Sequence, residues 1–424
     1  MCLRAVYPYL QPVDPQVCFI LGRHSIPFMQ NSSTGSFLPP PVELGPQLHS
    51  SPVRATAGLE ASSRVEGYDV ARAIAVLGMI LVNGRQILLM DSHPGTAWFV
   101  QAADFLYGRP AVLFVILAGV GLSLMSRRAI ASGEPEKLAE IRATLWKRSI
   151  VLYAMGMLFR RWWGADILHF YGVFLSTAAL LLTLRGKWLW GLIASILLAS
   201  GGVFLVIDQT PPFIGEAISR AGMFGDWFDD LFIDGSYPLV PWLMFLLIGL
   251  WLGRNEIITS TAVRRRLVRG ALISLVVAEL LGRLMPPLLF GVLGLRNEGV
   301  LEMLCMLNSF PMTPLFSISA VSGAVLILSL AMARPSPFLP TGAWRVLQNT
   351  GKFSLSIYVS HIFLFLWLES WLRGMVSVEI YPALAVSIIL VCFFVVPAAA
   401  DSWARNFGRG PLEWLLRQAA AKLW

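Results

Sequence analysis

Residues 68–93 read YDVARAIAVLGMILVNGRQILLMDSH, a run long and apolar enough to cross a bilayer. It nevertheless carries Asp69, Arg72, Asn83 and Arg85 and ends in His93. A charge near the bilayer centre costs about 2.5–3.5 kcal/mol on insertion scales, so such residues pair, line a cavity or snorkel. Asp69 and Arg72 are three apart and share one face of a helix. The segment therefore predicts a membrane helix that brings an ion pair, an amide and an imidazole into the interior of a protein. The rest of the chain agrees. It is 56% hydrophobic and 14% charged, with a mean hydropathy of +0.67; a soluble domain is about 25% charged.

From residue 68 onward about ten apolar spans follow, at 69–90, 108–126, 146–163, 166–184, 188–207, 238–253, 269–293, 311–333, 353–373 and 378–398. The expected fold is all-α, a polytopic bundle of about ten transmembrane helices. Only WWGAD joins the third and fourth spans, which predicts a tight helical hairpin. The basic residues fall in alternate short loops, among them Arg127, Arg128, Lys147 and Arg148 after the second span and Arg264, Arg265 and Arg266 after the sixth. The long loop after the fifth span is acidic. The positive-inside rule then places both termini in the cytoplasm, with His93 and His169 at the outer face. Residues 1–66, rich in Pro, Ser and Gly, are expected to form a disordered N-terminal extension or an over-extended start. Residues 67–398 are the transmembrane domain, and 399–424 a cytoplasmic interfacial tail with apolar residues on one side and Arg417 and Lys422 on the other. The charge of +8 belongs to loops that set orientation, so it points to a lipid bilayer and not to nucleic acid.

Several side chains have the chemistry of a site. His93 lies ten residues after Asn83; imidazole is the usual general base near neutral pH, and an amide can orient it or face a developing oxyanion. The other reading makes His93 a solvated loop residue before Pro94. His169 follows Asp166 by three, a carboxylate–imidazole pair that suits a base or a hydrogen-bonded bridge between helices. Arg72 suits phosphate binding or a structural pair with Asp69. Asp104 and Arg109 are expected to pair across a break before the second span, lining an acceptor site or holding the bundle. Ser354, Tyr358 and His361 fall at i, i+4 and i+7, a polar stripe that must turn from lipid into the bundle. No P-loop, dinucleotide fingerprint, zinc signature or nucleophile elbow occurs, and no metal is expected.

The run Asp69, Arg72, Ala75, Met79, Val82, Asn83, then His93, Ala103 and Asp104, resembles the heparan-α-glucosaminide N-acetyltransferase family. The resemblance implies that Asn83 and His93 are active-site residues and that acetyl passes from cytosolic acetyl-CoA to an amino sugar across the membrane. The pieces GRPAVLFVILAGVGLSL, GADILHFYGV, YPLVPWLMFLLIGLWLGR, GKFSLSIYVSH and GRGPLEWLLR resemble the YeiB-like bacterial membrane proteins, a family of unknown function. Both are grouped with the transmembrane acyltransferases. The implied activity is transfer of an acyl group from acyl-CoA to a hydroxyl or amine of an envelope glycan or other small acceptor, in a multi-pass protein of the inner (plasma) membrane. In this reading His93, Asn83 and His169 are catalytic. Asp69, Arg72, Tyr358 and His361 hold acetyl-CoA, and Asp104, Arg109 and Asp166 meet the acceptor. A homodimer is compatible with this reading. The alternative is a transporter or flippase of a small or lipid-linked solute, whose polar residues line a path without bond making.

Overall fold

A computed structural model describes residues 66–89, 94–207, 222–232, 235–254, 260–294, 301, 304–309, 312–333 and 340–423. The helical unit is Val65–Trp424. Its helices are α1 (Glu66–Leu88), α2 (Ala97–Leu106), α3 (Arg109–Ser132), α4 (Pro135–Phe159), α5 (Leu168–Leu181), α6 (Gly186–Ile207), α7 (Gly222–Phe232) and α8 (Leu239–Arg254). There follow α9 (Thr261–Pro286), α10 (Pro314–Ala331), α11 (Thr341–Lys352), α12 (Ser354–Leu372), α13 (Tyr381–Phe407) and α14 (Pro411–Lys422). Among the described residues no β-strand occurs. The protein is an all-α, multi-pass membrane protein. Among the described residues six segments are long and apolar enough to cross a membrane, and α5, α8 and part of α6 are shorter apolar helices. The remaining expected span, 146–163, overlaps α4, whose Arg142, Lys147 and Arg148 keep it out of that set.

Helix α1 is the axis of the bundle. It touches α2, α3, α10, α11, α12 and α13. Small residues set how closely the helices approach, because lipid supplies no hydrophobic drive for helices to pair. A Cβ on Gly351 would lie 1.8 Å from the Asp69 carbonyl oxygen, and one on Gly67 2.6 Å from that of Ala331. Helices α3 and α8 meet in the same way: a Cβ on Gly119 would stand 2.0 Å from the Leu246 carbonyl oxygen, and one on Gly249 2.0 Å from that of Ile116. Gly249→Val must push two backbones apart. The expected cost is about 1–3 kcal/mol, the range for overpacking, read as a lower midpoint of thermal unfolding in detergent; an unchanged midpoint would refute the close contact.

The periphery is apolar. In α9 only Ala271 and Ala278 are buried, while Ile273, Leu280 and Leu284 are exposed. In a bilayer these side chains face lipid, so exposed apolar surface here is ordinary and not a docking patch.

The α4–α5 hairpin is tight, as WWGAD predicts. A Cβ on Gly156 would lie 2.1 Å from the His169 amide nitrogen, and one on Gly172 2.8 Å from the Ser149 carbonyl oxygen. Its turn packs on α12. Phe159 and Trp162 pack on Phe363, and Tyr358 meets Ile167. Those partners lie four to nine residues into α12, about 6–14 Å along its axis at a rise of about 1.5 Å per residue. His169, two residues after Ile167, lies alongside the first half of α12.

Candidate functional site

Two polar clusters stand at one cleft. The first joins α1 to α12. Asn83 is 8% exposed and His361 2%. The Asn83 Nδ2 lies 3.1 Å from His361 Nε2, and His361 Nδ1 donates to the Ile357 carbonyl oxygen at 2.8 Å. The polar stripe on α12 does turn inward: Ser354, Tyr358 and His361 are all buried. Tyr358 and His361, the residues expected to hold acetyl-CoA, stand against Asp166 and Asn83.

The second cluster is built on the α4–α5 turn. Asp166 is fully buried. Its Oδ2 accepts from the amides of Leu168 and His169 at 3.0 and 3.2 Å and from His169 Nδ1 at 3.1 Å. The Tyr358 hydroxyl donates to Asp166 Oδ1 at 3.4 Å and accepts from the Ile167 amide at 3.3 Å. The other ring nitrogen of His169 faces Asp230 Oδ2 on α7 at 3.3 Å, and Arg160 also pairs with that carboxylate. The Asp166–His169 pair predicted from spacing is present, but for a different reason. Asp166 precedes α5 and caps its first amides, so the carboxylate reaches the imidazole as a cap and not along a helix face. Asp230 and Arg160 carry no local signal in the sequence, since both join the cluster through contacts of more than 60 residues' separation.

The cleft is lined by Asn83 of the first cluster and reaches Ala165, beside Asp166 of the second. Asn83, Gln86 and Tyr107 line one part of it, and Ala165, Ser236 and Tyr237 another. Ala165 immediately precedes Asp166, and Gly235, next to Ser236, packs on the Asp230 carbonyl. The cavity is ≈ 30 Å³, room for a water or two. His93 lies outside the described residues.

Asp69 and Arg72 form the predicted pair, Arg72 donating to Asp69 Oδ1 at 2.8 Å. Asp69 is buried and the Arg72 side chain is 30% exposed, so the guanidinium is both tied and reachable. The expected Asp104–Arg109 pair does not form. Asp104 faces Arg85, at 3.5 Å, while Arg109 pairs with Glu279, which also holds Arg283 at 3.2 Å. Arg109 also donates to Ser319 at 3.1 Å and lies over the rings of Phe105 and Phe316. The chain turns at Gly108, with φ of 78°, and this redirects Arg109 toward α9 and α10.

The tail also takes part. Glu413 of α14 accepts from the amides of Leu355 and Ser356 at 2.9 and 3.2 Å and from the Ser356 hydroxyl. It caps the start of the helix that carries Tyr358 and His361. Glu413→Ala is expected to cost about 0.5–2 kcal/mol, the usual worth of an N-terminal cap, and to speed amide hydrogen exchange in the first turn of α12. Exchange at the wild-type rate would show that the cap does not hold that turn.

Residues 64–285, more than half of the 424-residue chain, match the family model described as heparan-alpha-glucosaminide N-acetyltransferase, catalytic. The chain belongs to that family. Residues 252–422 match a second family, described as a protein of unknown function (DUF418), in keeping with the YeiB-like resemblance, of which GKFSLSIYVSH and GRGPLEWLLR fall in this region. No curated protein and no solved structure matches the chain. Asn83, Asp166, His169 and Asp230 fall in the N-acetyltransferase region, and Tyr358, His361 and Glu413 in the other. Tyr358 and His361 of the second region thus stand behind a cleft whose lining, Ser309 apart, comes from the first. Family membership supports a membrane acyltransferase type of function.

Proposed function

We propose that this protein transfers an acetyl group from cytosolic acetyl-CoA to a hydroxyl or amine of an envelope glycan, in the inner membrane. The observation that carries the proposal is the cleft with Asn83 on one side and the Asp166–His169–Asp230 cluster behind the other. Its volume suits the reacting hydroxyl or amine of an acceptor and not a whole sugar, so the sugar ring stays outside it.

In this reading a base takes the proton of the acceptor, the freed oxygen or nitrogen attacks the thioester carbonyl, and the C–S bond breaks. The thiolate of CoA leaves and takes up a proton. His93 is the first choice of base. His169 is the second: it takes the proton at Nε2 once that nitrogen turns from Asp230, with Asp166 on Nδ1 to balance the charge that proton transfer leaves. Asn83 positions the acceptor. Asp69 and Arg72, at the start of α1, shape the path of the donor, where a reachable guanidinium suits CoA phosphates.

The test is CoA release from labelled acetyl-CoA by purified protein, with a panel of glycan acceptors, for wild type, His93→Ala and His169→Ala. Release that collapses in one variant and not in the other identifies the base. Folded wild-type protein that moves a solute across liposomes and releases no CoA would put the chain in the transporter class.

A further inference from the structure

His361 has both ring nitrogens engaged inside the bundle. Nδ1 faces a backbone carbonyl, which can only accept, so Nδ1 carries the hydrogen. A second hydrogen on Nε2 would make a buried cation, and among the described residues no carboxylate hydrogen-bonds this ring. Nε2 is then a lone pair, and the group 3.1 Å away must donate to it. That group is the Asn83 amide, so its nitrogen, and not its oxygen, turns toward His361. Asn83 lines the cleft and His361 does not.

We propose that His361 is a positioning residue: it locks the Asn83 amide with its NH2 turned into the bundle, so that the Asn83 carbonyl oxygen is the atom offered to the cleft. This deepens the acyl-transfer reading and rests on it. A carbonyl oxygen accepts hydrogen bonds. It therefore receives one N–H of an acceptor amine, leaves the other to the base, and aims the nitrogen lone pair at the thioester; on a sugar, whose reacting O–H goes to the base, it receives a neighbouring hydroxyl. The oxyanion that forms on the acetyl group needs donors, and the carbonyl oxygen of Asn83, held in this way, is not one of them. His361 acts through Asn83 and does not itself meet the acceptor.

Two measurements test the lock. The first uses the full-length protein labelled with 15N-histidine. The chain has 5 histidines, so loss of one set of signals in His361→Gln assigns that ring. The expected spectrum is a neutral ring with its hydrogen on Nδ1 and an Nε2 signal that moves in Asn83→Ala. A hydrogen on Nε2, or an imidazolium at neutral pH, overturns the proposal. The second is CoA release. His361→Leu is expected to lower kcat by about 100-fold, the order expected when a positioning contact is lost, with KM for acetyl-CoA within about twofold. In His361→Gln the side-chain amide oxygen reaches the place of Nε2, and kcat recovers to within about tenfold of wild type. A folded Leu variant with wild-type turnover, or a Gln variant no better than Leu, overturns it too. The spectrum decides the lock whether or not CoA is released, so its failure and the failure of the acyl-transfer reading are separate results.

Discussion

Asp166→Ala is expected to be the most destabilising single substitution in the α4–α5 region. The carboxylate is fully buried and holds two backbone amides, one imidazole and one phenol. Its loss leaves these donors facing a methyl group. Removing one partner of a buried charged cluster costs about 3–5 kcal/mol. The effect should appear as a lower midpoint of thermal unfolding in detergent, together with loss of CoA release. Tyr358→Phe removes the 3.4 Å bond to Asp166 and the 3.3 Å bond from the Ile167 amide and is expected to cost about 1–3 kcal/mol, the net worth of two hydrogen bonds. The comparison matters because both side chains touch the same atoms. If the alanine variant melts with the phenylalanine variant, Asp166 is one hydrogen-bond partner among several and not the centre of the cluster.

The helices were legible because each apolar run has a physical length to match. WWGAD is too short for anything but a tight turn, and the i, i+4, i+7 spacing on α12 turned Tyr358 and His361 inward as predicted. Helix length was less legible: the apolar run 166–184 gives an α5 of 14 residues. Partners across the bundle were the least legible. Asp104 and Arg109 are close in the chain, yet the turn at Gly108 sends Arg109 to Glu279, 170 residues away. Asn83 and His361 are 278 residues apart. Each carries a signal of its own, a polar side chain in an apolar helix, but nothing in the spacing says that these two meet. The same holds for Glu413, which reads as one charge on an interfacial helix until its contact with the first turn of α12 is seen.

Asn83→Ala carries the largest expected effect on the reaction. The amide lines the cleft, and its nitrogen is tied to His361. Alanine keeps the helix, since it is the best helix former, and removes only the polar group. Misplacing a reactant by about 1 Å can cost about 100-fold, and losing a polar group aimed at the reacting atoms costs about 100–1,000-fold in kcat. CoA release with acceptor should fall by that order. Binding of acetyl-CoA itself should change little, because Arg72 lies at the other end of α1, eleven residues earlier and about 16 Å along the helix axis. Isothermal titration with acetyl-CoA and a CoA-release assay on the same preparation separate the two. Weakened donor binding with unchanged turnover would place Asn83 on the donor path. Loss of turnover with donor binding intact puts it at the acceptor, where the orientation set by His361 makes its carbonyl oxygen the atom that receives the acceptor's hydrogen bond.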